Sequence, residues 1–281
     1  MTGRPYPNTI LLKLMRKISP LILIPAIFIL FACSSKRIDG SAGPEVLYNR
    51  AMNELEKKRG FPWVFTGTDY DLVLKLFKEI QLRYTYSPYA TLAELRTGDT
   101  YFKKEEYEQA AVEYEEFIKR HPGHEETPYA TFRLALSHFK RIKSYDRDPT
   151  DTREALRWFN IFVDKYPDSP LFGDAKRMII ECRNRLAKRE IYLGNFYAKR
   201  KNYKAAAERY KVVVERYQDT SEYEEALYLL GRSYYNMGER QIAKEVLTRV
   251  IEEFPAAKYH DKAASLLAKI EKKEKEEAKE G

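Results

Sequence analysis

The chain has 281 residues, with 50 Lys and Arg against 42 Asp and Glu, a formal net charge of +8 and a pI near 9.1. With 44% hydrophobic and 33% charged residues it has the composition of an ordinary globular protein, which excludes a polytopic membrane protein and a disordered chain. Abundant Tyr (22) and Phe (14) beside 12 Gly and 13 Pro disfavour collagen-like, low-complexity and turn-rich all-β classes, and two cysteines exclude a disulfide-stapled fold.

Residues 1–32 carry Arg4, Lys13, Arg16 and Lys17, no acidic residue, and an apolar run from Leu21 to Ala32. This is the pattern of an export signal, with Met15 as an alternative start. Twelve apolar residues fall short of the roughly 20 a spanning helix needs. The run ends Leu30-Phe31-Ala32-Cys33, which resembles the bacterial lipobox, although Phe31 is bulkier than usual there. Cys33 is therefore expected to carry covalent lipid, and residues 33–44 read as a lipidated flexible tether that holds the protein on a membrane, not through it. By the sorting rule of double-membrane bacteria, Ser34 in place of Asp implies the outer membrane, with the chain on its periplasmic face. Removing residues 1–32 takes away four positive charges and no negative ones, leaving +4, so the basic balance is half export signal and nucleic acid is not an expected partner.

The rest of the chain is a helical repeat. Five stripes share apolar or aromatic positions at spacings 4, 3 and 4: Val73/Phe77/Ile80/Tyr84, Ala110/Tyr114/Phe117/His121, Ala155/Phe159/Phe162/Tyr166, Ala206/Tyr210/Val213/Tyr217 and Ala243/Leu247/Val250/Phe254. Such spacing keeps four side chains on one helical face. Pro122, Pro167 and Pro255 follow three of the stripes, where proline stops a helix. Upstream of each stripe a second helix carries a small residue where helices can cross closely: Ala51, Gly98, Ala135, Gly194 and Gly231. In repeats 2, 4 and 5 the small residue precedes the stripe by 12 positions; repeats 1 and 3 hold insertions at 57–68 and about 140–151. Residues such as Gly231, Tyr234, Gly238, Ala243 and Pro255 resemble the tetratricopeptide consensus, giving an all-α tetratricopeptide-repeat solenoid of five helix pairs. Residues 261–281 read as a capping helix, with Leu266, Leu267 and Ile270 inward, and a charged tail.

Asp146-Arg147-Asp148-Pro149 in the second insertion, Tyr166-Pro167-Asp168-Ser169, Asp174-Ala175-Lys176-Arg177 and Arg185-Leu186-Ala187-Lys188-Arg189-Glu190 resemble the BamD-type outer-membrane lipoproteins of the β-barrel assembly machine. The resemblance implies a non-enzymatic scaffold. Its repeats 1–3 (45–168) would recognise unfolded outer-membrane β-barrel proteins, and its repeats 4–5 (169–260) would dock on the POTRA domains of the barrel subunit, with accessory lipoproteins as further partners.

Counting from the small residue of each repeat gives the side chains that should line the concave groove: Tyr48, Met52 and Leu55; Leu92, Leu95 and Phe102; Tyr129, Phe132, Leu136 and Phe139. They are apolar and aromatic where repeats 4 and 5 are mixed, as a peptide-binding surface would be; packing on the insertions is the alternative reading. Arg209 lies off the buried stripe of repeat 4, and matched into the family pattern it falls where a basic residue meets the last POTRA domain. The other reading of Arg209 is a solvated surface charge.

No catalytic or metal-binding constellation is expected. His121-Pro122-Gly123-His124 has metal-like spacing, but its Pro-Gly is what a helix end and turn supply anyway. No phosphate-cradling glycine loop or nucleophile elbow is present, and Cys182 reads as a core residue. The expectation is no enzyme and no cofactor beyond lipid on Cys33. A second reading of the same repeats is a periplasmic adaptor that coordinates peptidoglycan synthesis or cell division.

Overall fold

The computed structural model describes residues 41–57 and 67–280. The export signal, Cys33 and most of the first insertion lie outside them. Eleven helices follow one another among the described residues: α1 Pro44–Leu55, α2 Tyr70–Arg83, α3 Pro88–Lys103, α4 Tyr107–Arg120, α5 Thr127–Arg141, α6 Thr150–Lys165, α7 Phe172–Lys199, α8 Tyr203–Arg216, α9 Tyr223–Met237, α10 Arg240–Glu253 and α11 His260–Glu280. Each helix packs chiefly on its sequence neighbours, so the molecule is a tetratricopeptide solenoid of five pairs, α1/α2 to α9/α10, closed by α11.

Local signals set the helix ends. The Asp69 side chain accepts from the Leu72 N–H at 3.0 Å to start α2, and Asn202 accepts from the Ala205 N–H at 3.2 Å to start α8. Ser87 followed by Pro88 opens α3. The turn inside a pair needs a left-handed residue seven positions after the small one. Gly238 supplies it in repeat 5 at φ 87°, whereas Glu105 and Lys201 adopt φ 64° and 62° in repeats 2 and 4 at a steric cost.

The stripes are the core. Phe77, Tyr114, Phe159, Tyr210 and Leu247, the second stripe positions, are all fully buried. The small residues are what let them in. A methyl group added at Gly194 would meet the Tyr210 ring, one at Gly98 would lie 2.9 Å from the Tyr114 ring, and one at Gly231 would lie 2.7 Å from Leu247.

Helix α7 departs from the regular plan. It runs 28 residues, against 12 to 16 for the first helices of the other pairs. Its amino-terminal half puts Ala175 and Cys182 among Phe132, Phe159 and Phe162, and its carboxy-terminal half puts Ala187 and Ile191 among Tyr210, Val213 and Leu227. One continuous helix thus belongs to two core clusters. Cys182 is fully buried there, and burial pushes its thiol up to about 12, which makes it inert. At the other end α11 buries Ala263 and Ile270 on the last pair, with Leu266 and Leu267 partly covered, as the capping role requires.

Two substitutions test this packing. Gly194→Ala should lower stability by about 1–3 kcal/mol despite its better helix propensity, because the methyl group collides with the Tyr210 ring, whose hydroxyl donates to Asn195 Oδ1 at 2.8 Å. Lys201→Gly should raise stability by about 0.5–1 kcal/mol by relieving the left-handed residue. Denaturant melts of both variants against the parent chain check the signs.

Candidate peptide groove and docking face

The first helices α1, α3 and α5 form the inner face of repeats 1–3. A cavity of about 620 Å³ opens between them and the start of α4, walled by Met52, Leu55, Phe102, Tyr129 and, from α4, Tyr107. The cations Arg96, Arg133, Lys103 and Lys140 and the carboxylates Asp99, Glu56 and Glu105 are also on its lining. Met52, Leu55, Phe102 and Tyr129 are where the sequence register puts them.

The other register residues sit differently. Leu95 is fully buried with Ala110, Tyr114 and Phe117, and Phe132 is 8% exposed with its ring 5.6 Å from both Phe159 and Phe162. Tyr48 is half-buried against Phe77 and Tyr89, at 5.9 and 5.5 Å between ring centroids. These three lie three residues before the small residue, and in repeats 1–3 that position turns toward the second helices and not into the groove. Leu136 and Phe139 pack on the Phe132 cluster, and Leu92 is half-buried outside the cavity lining. The apolar groove of the sequence reading is corrected accordingly: its floor is polar, because the position two before the small residue faces inward and is Arg96 in repeat 2 and Arg133 in repeat 3. A hydrophobic register does not search for cations; the same residue type at the same place in adjacent repeats is the signal that could have found them.

The floor is one connected network. Asp99, 6% exposed, accepts from the Tyr114 hydroxyl at 2.6 Å, from the Tyr129 hydroxyl at 2.8 Å and from Arg96 Nη1 at 2.7 Å. Arg96 reaches on to Glu126 at 3.3 Å, and Arg133 Nε donates to the Tyr114 hydroxyl at 3.1 Å while its guanidinium lies 3.7 Å over the Phe102 ring. Burial, and after it the Asp99 carboxylate, raises the phenols of Tyr114 and Tyr129 above their usual 10.0, so both remain protonated donors. Burial alone would pull the Arg96 guanidinium down, but its bonds to Asp99 outweigh that and raise it. The network holds the groove's aromatic rings and its cations in one fixed arrangement.

In the carboxy-terminal half, Arg209 on α8 is half-exposed, with Nη1 3.3 Å from Glu190 Oε2 on α7. Glu190 is mostly covered, while the Arg209 guanidinium stays accessible at the surface. The loop of the second insertion, residues 142–149 between α5 and α6, lies on α7. Arg189 donates to the Tyr145 carbonyl at 3.2 Å and to the Arg147 carbonyl, Tyr145 meets the Tyr192 ring at 5.7 Å, and Lys188 lies 5.1 Å over the Tyr145 ring. Two of the motifs that carry the family resemblance, the Asp-Arg-Asp-Pro insertion and the Arg185–Glu190 stretch, are thus one structural unit.

The histidines act as structure. His121 Nε2 is 2.9 Å from Glu94, and His124 Nδ1 accepts from the Glu126 N–H at 3.1 Å. Among the described residues no group of three or more His, Cys, Asp or Glu could hold a metal ion, and no helix is long and apolar enough to cross a membrane.

Repeats of this geometry, stacked pair on pair with a polar-floored groove in the amino-terminal half, define a tetratricopeptide-repeat scaffold. The chain belongs to the YfiO family, described as outer membrane lipoproteins, whose pattern it matches over residues 43–249. It is similar to the outer membrane protein assembly factor BamD of Neisseria meningitidis serogroup A, 29% identical over 226 residues covering 76% of this chain and 80% of the relative. The BamD proteins of Caulobacter vibrioides and Rickettsia prowazekii are each 28% identical, covering 86% and 91% of this chain and 81% and 98% of their own lengths. Among solved structures, a tetratricopeptide protein of Thermus thermophilus aligns over 81% of this chain and 98% of its own at 15% identity and a TM-score of 0.33.

Asp99→Ala should cost about 2–4 kcal/mol, since it strands Arg96 and two tyrosine hydroxyls, whereas Tyr129→Phe should cost about 1 kcal/mol. Equilibrium unfolding of the two variants measures the difference.

Proposed function

We propose that this chain is an assembly factor for outer-membrane β-barrel proteins, anchored by lipid on Cys33 to the periplasmic face of the outer membrane. Its groove in repeats 1–3 takes an extended segment of an unfolded barrel protein. Its repeats 4–5 dock on the POTRA domains of the barrel subunit through the face that carries Arg209. Family membership supports the assembly role, and the groove supports the substrate class. Barrel strands alternate apolar and polar residues and end in aromatic girdles. A groove with three aromatic walls, a thioether and charged groups of both signs, Arg133, Lys103 and Lys140 beside Glu56 and Glu105, offers a surface for both kinds of side chain along one extended strand.

The groove's own chemistry carries this reading and gives its test. With a photoreactive residue in place of Tyr107, the chain should crosslink to a peptide made from the last strand of a barrel protein. Met52→Glu combined with Phe102→Glu should abolish that crosslink in a protein that keeps its helical circular dichroism. Leu95 and Phe132 are unsuitable for such a test because they are core residues. An unchanged crosslink would refute the groove assignment. On the other half, Arg209→Glu places two acidic groups together at Glu190 and should weaken co-purification with the barrel subunit about tenfold. Undiminished co-purification would remove Arg209 from the docking face.

A further inference from the structure

Helix α11 has two faces of opposite character. Ala263, Leu267, Ile270, Glu274 and Glu277 follow one another at spacings 4, 3, 4 and 3 and face the last pair. Ala263 and Ile270 are fully buried, Glu274 holds Lys244 at 3.0 Å, and Glu277 holds Arg240 at 2.8 Å. On that face every cation has its carboxylate.

The other face reads Lys262, Leu266, Lys269 and Lys273, at spacings 4, 3 and 4. Lys262, Leu266 and Lys269 line a groove of about 440 Å³ against Tyr228, Arg232 and Tyr235 of α9. The rings are held in place: Tyr228 stacks on Tyr259 at 5.1 Å, Arg232 lies 5.8 Å from the Tyr228 centroid, Lys262 4.9 Å from that of Tyr259, and Lys273 5.7 Å from that of Tyr235. Among the described residues, none of Arg232, Lys262, Lys269 and Lys273 has a carboxylate oxygen within 4.0 Å. The one carboxylate on the lining, Asp261, is fully exposed and turned to His260 at 3.1 Å.

Arg240 and Lys244 are paired with carboxylates on one face of α11, whereas Arg232, Lys262, Lys269 and Lys273 along the tyrosine-lined concavity are not. With Glu277 near Lys273, Glu225 beside Tyr259 and Asp261 on the lining as the neighbouring carboxylates, the concavity keeps a net positive balance. We infer that the α9/α11 groove is a docking site for an acidic, extended segment of a partner protein. From Lys262 to Lys273 the stripe runs about 16 Å at 1.5 Å per residue, the reach of about five extended residues at 3.3 Å each. Such a segment turns alternate side chains to one side, and carboxylates there meet the lysines while the chain's other atoms lie on the tyrosine rings. A flat layer of anionic lipid headgroups fits the site less well, because Tyr228 and Tyr235 wall the stripe into a concavity. The site lies on repeat 5 and α11, within the half proposed above to dock the barrel subunit, but it uses neither Arg209 nor the groove of repeats 1–3, so its test can fail while theirs succeed.

The test uses a fluorescein-labelled ten-residue peptide of alternating Glu and Thr, its Lys–Thr counterpart, and vesicles of phosphatidylglycerol and phosphatidylethanolamine. The unlipidated chain should bind the acidic peptide with an affinity that falls as salt rises, and should ignore the basic one. Lys262→Glu with Lys269→Glu should weaken binding about tenfold or more, while Lys272→Glu with Lys275→Glu, an identical charge change off the stripe, should leave it within about twofold. Circular dichroism melts confirm that both variants fold. Equal losses in the two variants, or no binding of the acidic peptide, would overturn the inference. Stripe-dependent binding of the anionic vesicles without the peptide would overturn it as well, and assign the stripe to the membrane.

Discussion

The contact on which the solenoid depends is a small residue on one helix received by a large side chain on the next. Gly98 meets Tyr114, Gly194 meets Tyr210 and Gly231 meets Leu247, sixteen residues apart in each case. The absence of a side chain lets the two helices approach until the tyrosine ring or the leucine is fully buried, and burial of a large apolar side chain is worth about 1.5–3 kcal/mol. The same contact orients the first helix. With the small residue turned to its partner, the residues one and four positions after it turn to the concave side, as Met52, Leu55, Asp99 and Phe102 do. The ring also ties core to site, because Tyr114 packs against Gly98 through its edge and binds Asp99 through its hydroxyl.

Helix α7 makes the two halves continuous. Helices α3 and α5 also contribute to two neighbouring core clusters each, but α7 does so over 28 residues, its amino-terminal half in the third core and its carboxy-terminal half in the fourth. Its carboxy-terminal half is covered on one side by the insertion of repeat 3, held by Arg189, and carries Glu190 beside Arg209. The amino- and carboxy-terminal halves therefore share one continuous helix, which would suit the scaffold role proposed above.

Much of the fold was legible from the stripes and the twelve-residue separation, because core packing repeats and repetition shows in sequence. The length of α7 was not, since its amino-terminal half matches no repeat position; the absence of glycine or proline between Gly173 and Gly194, with Ala175, Cys182 and Leu186 at helical spacing, was the available signal. The groove was half legible. Positions one and four after the small residue face the cavity in repeats 1 and 2, but in repeat 3 they are Leu136 and Phe139, which pack on the core, and the position three before it, Leu95 and Phe132, turns inward as well. Arg96 and Arg133 were passed over because a charged residue at a groove position is invisible to a search for hydrophobic periodicity. Cys33 and the first insertion lie outside the described residues, so the anchor rests on the sequence alone.

The measurement that bears most directly on the proposed role is quantitative proteomics of outer membranes after conditional depletion of the chain. The expected result is an early and general loss of β-barrel proteins from the outer membrane, ahead of any change in cell shape or division. Unchanged barrel proteins together with a peptidoglycan or division defect would contradict it, and would assign these repeats to a cell-wall adaptor.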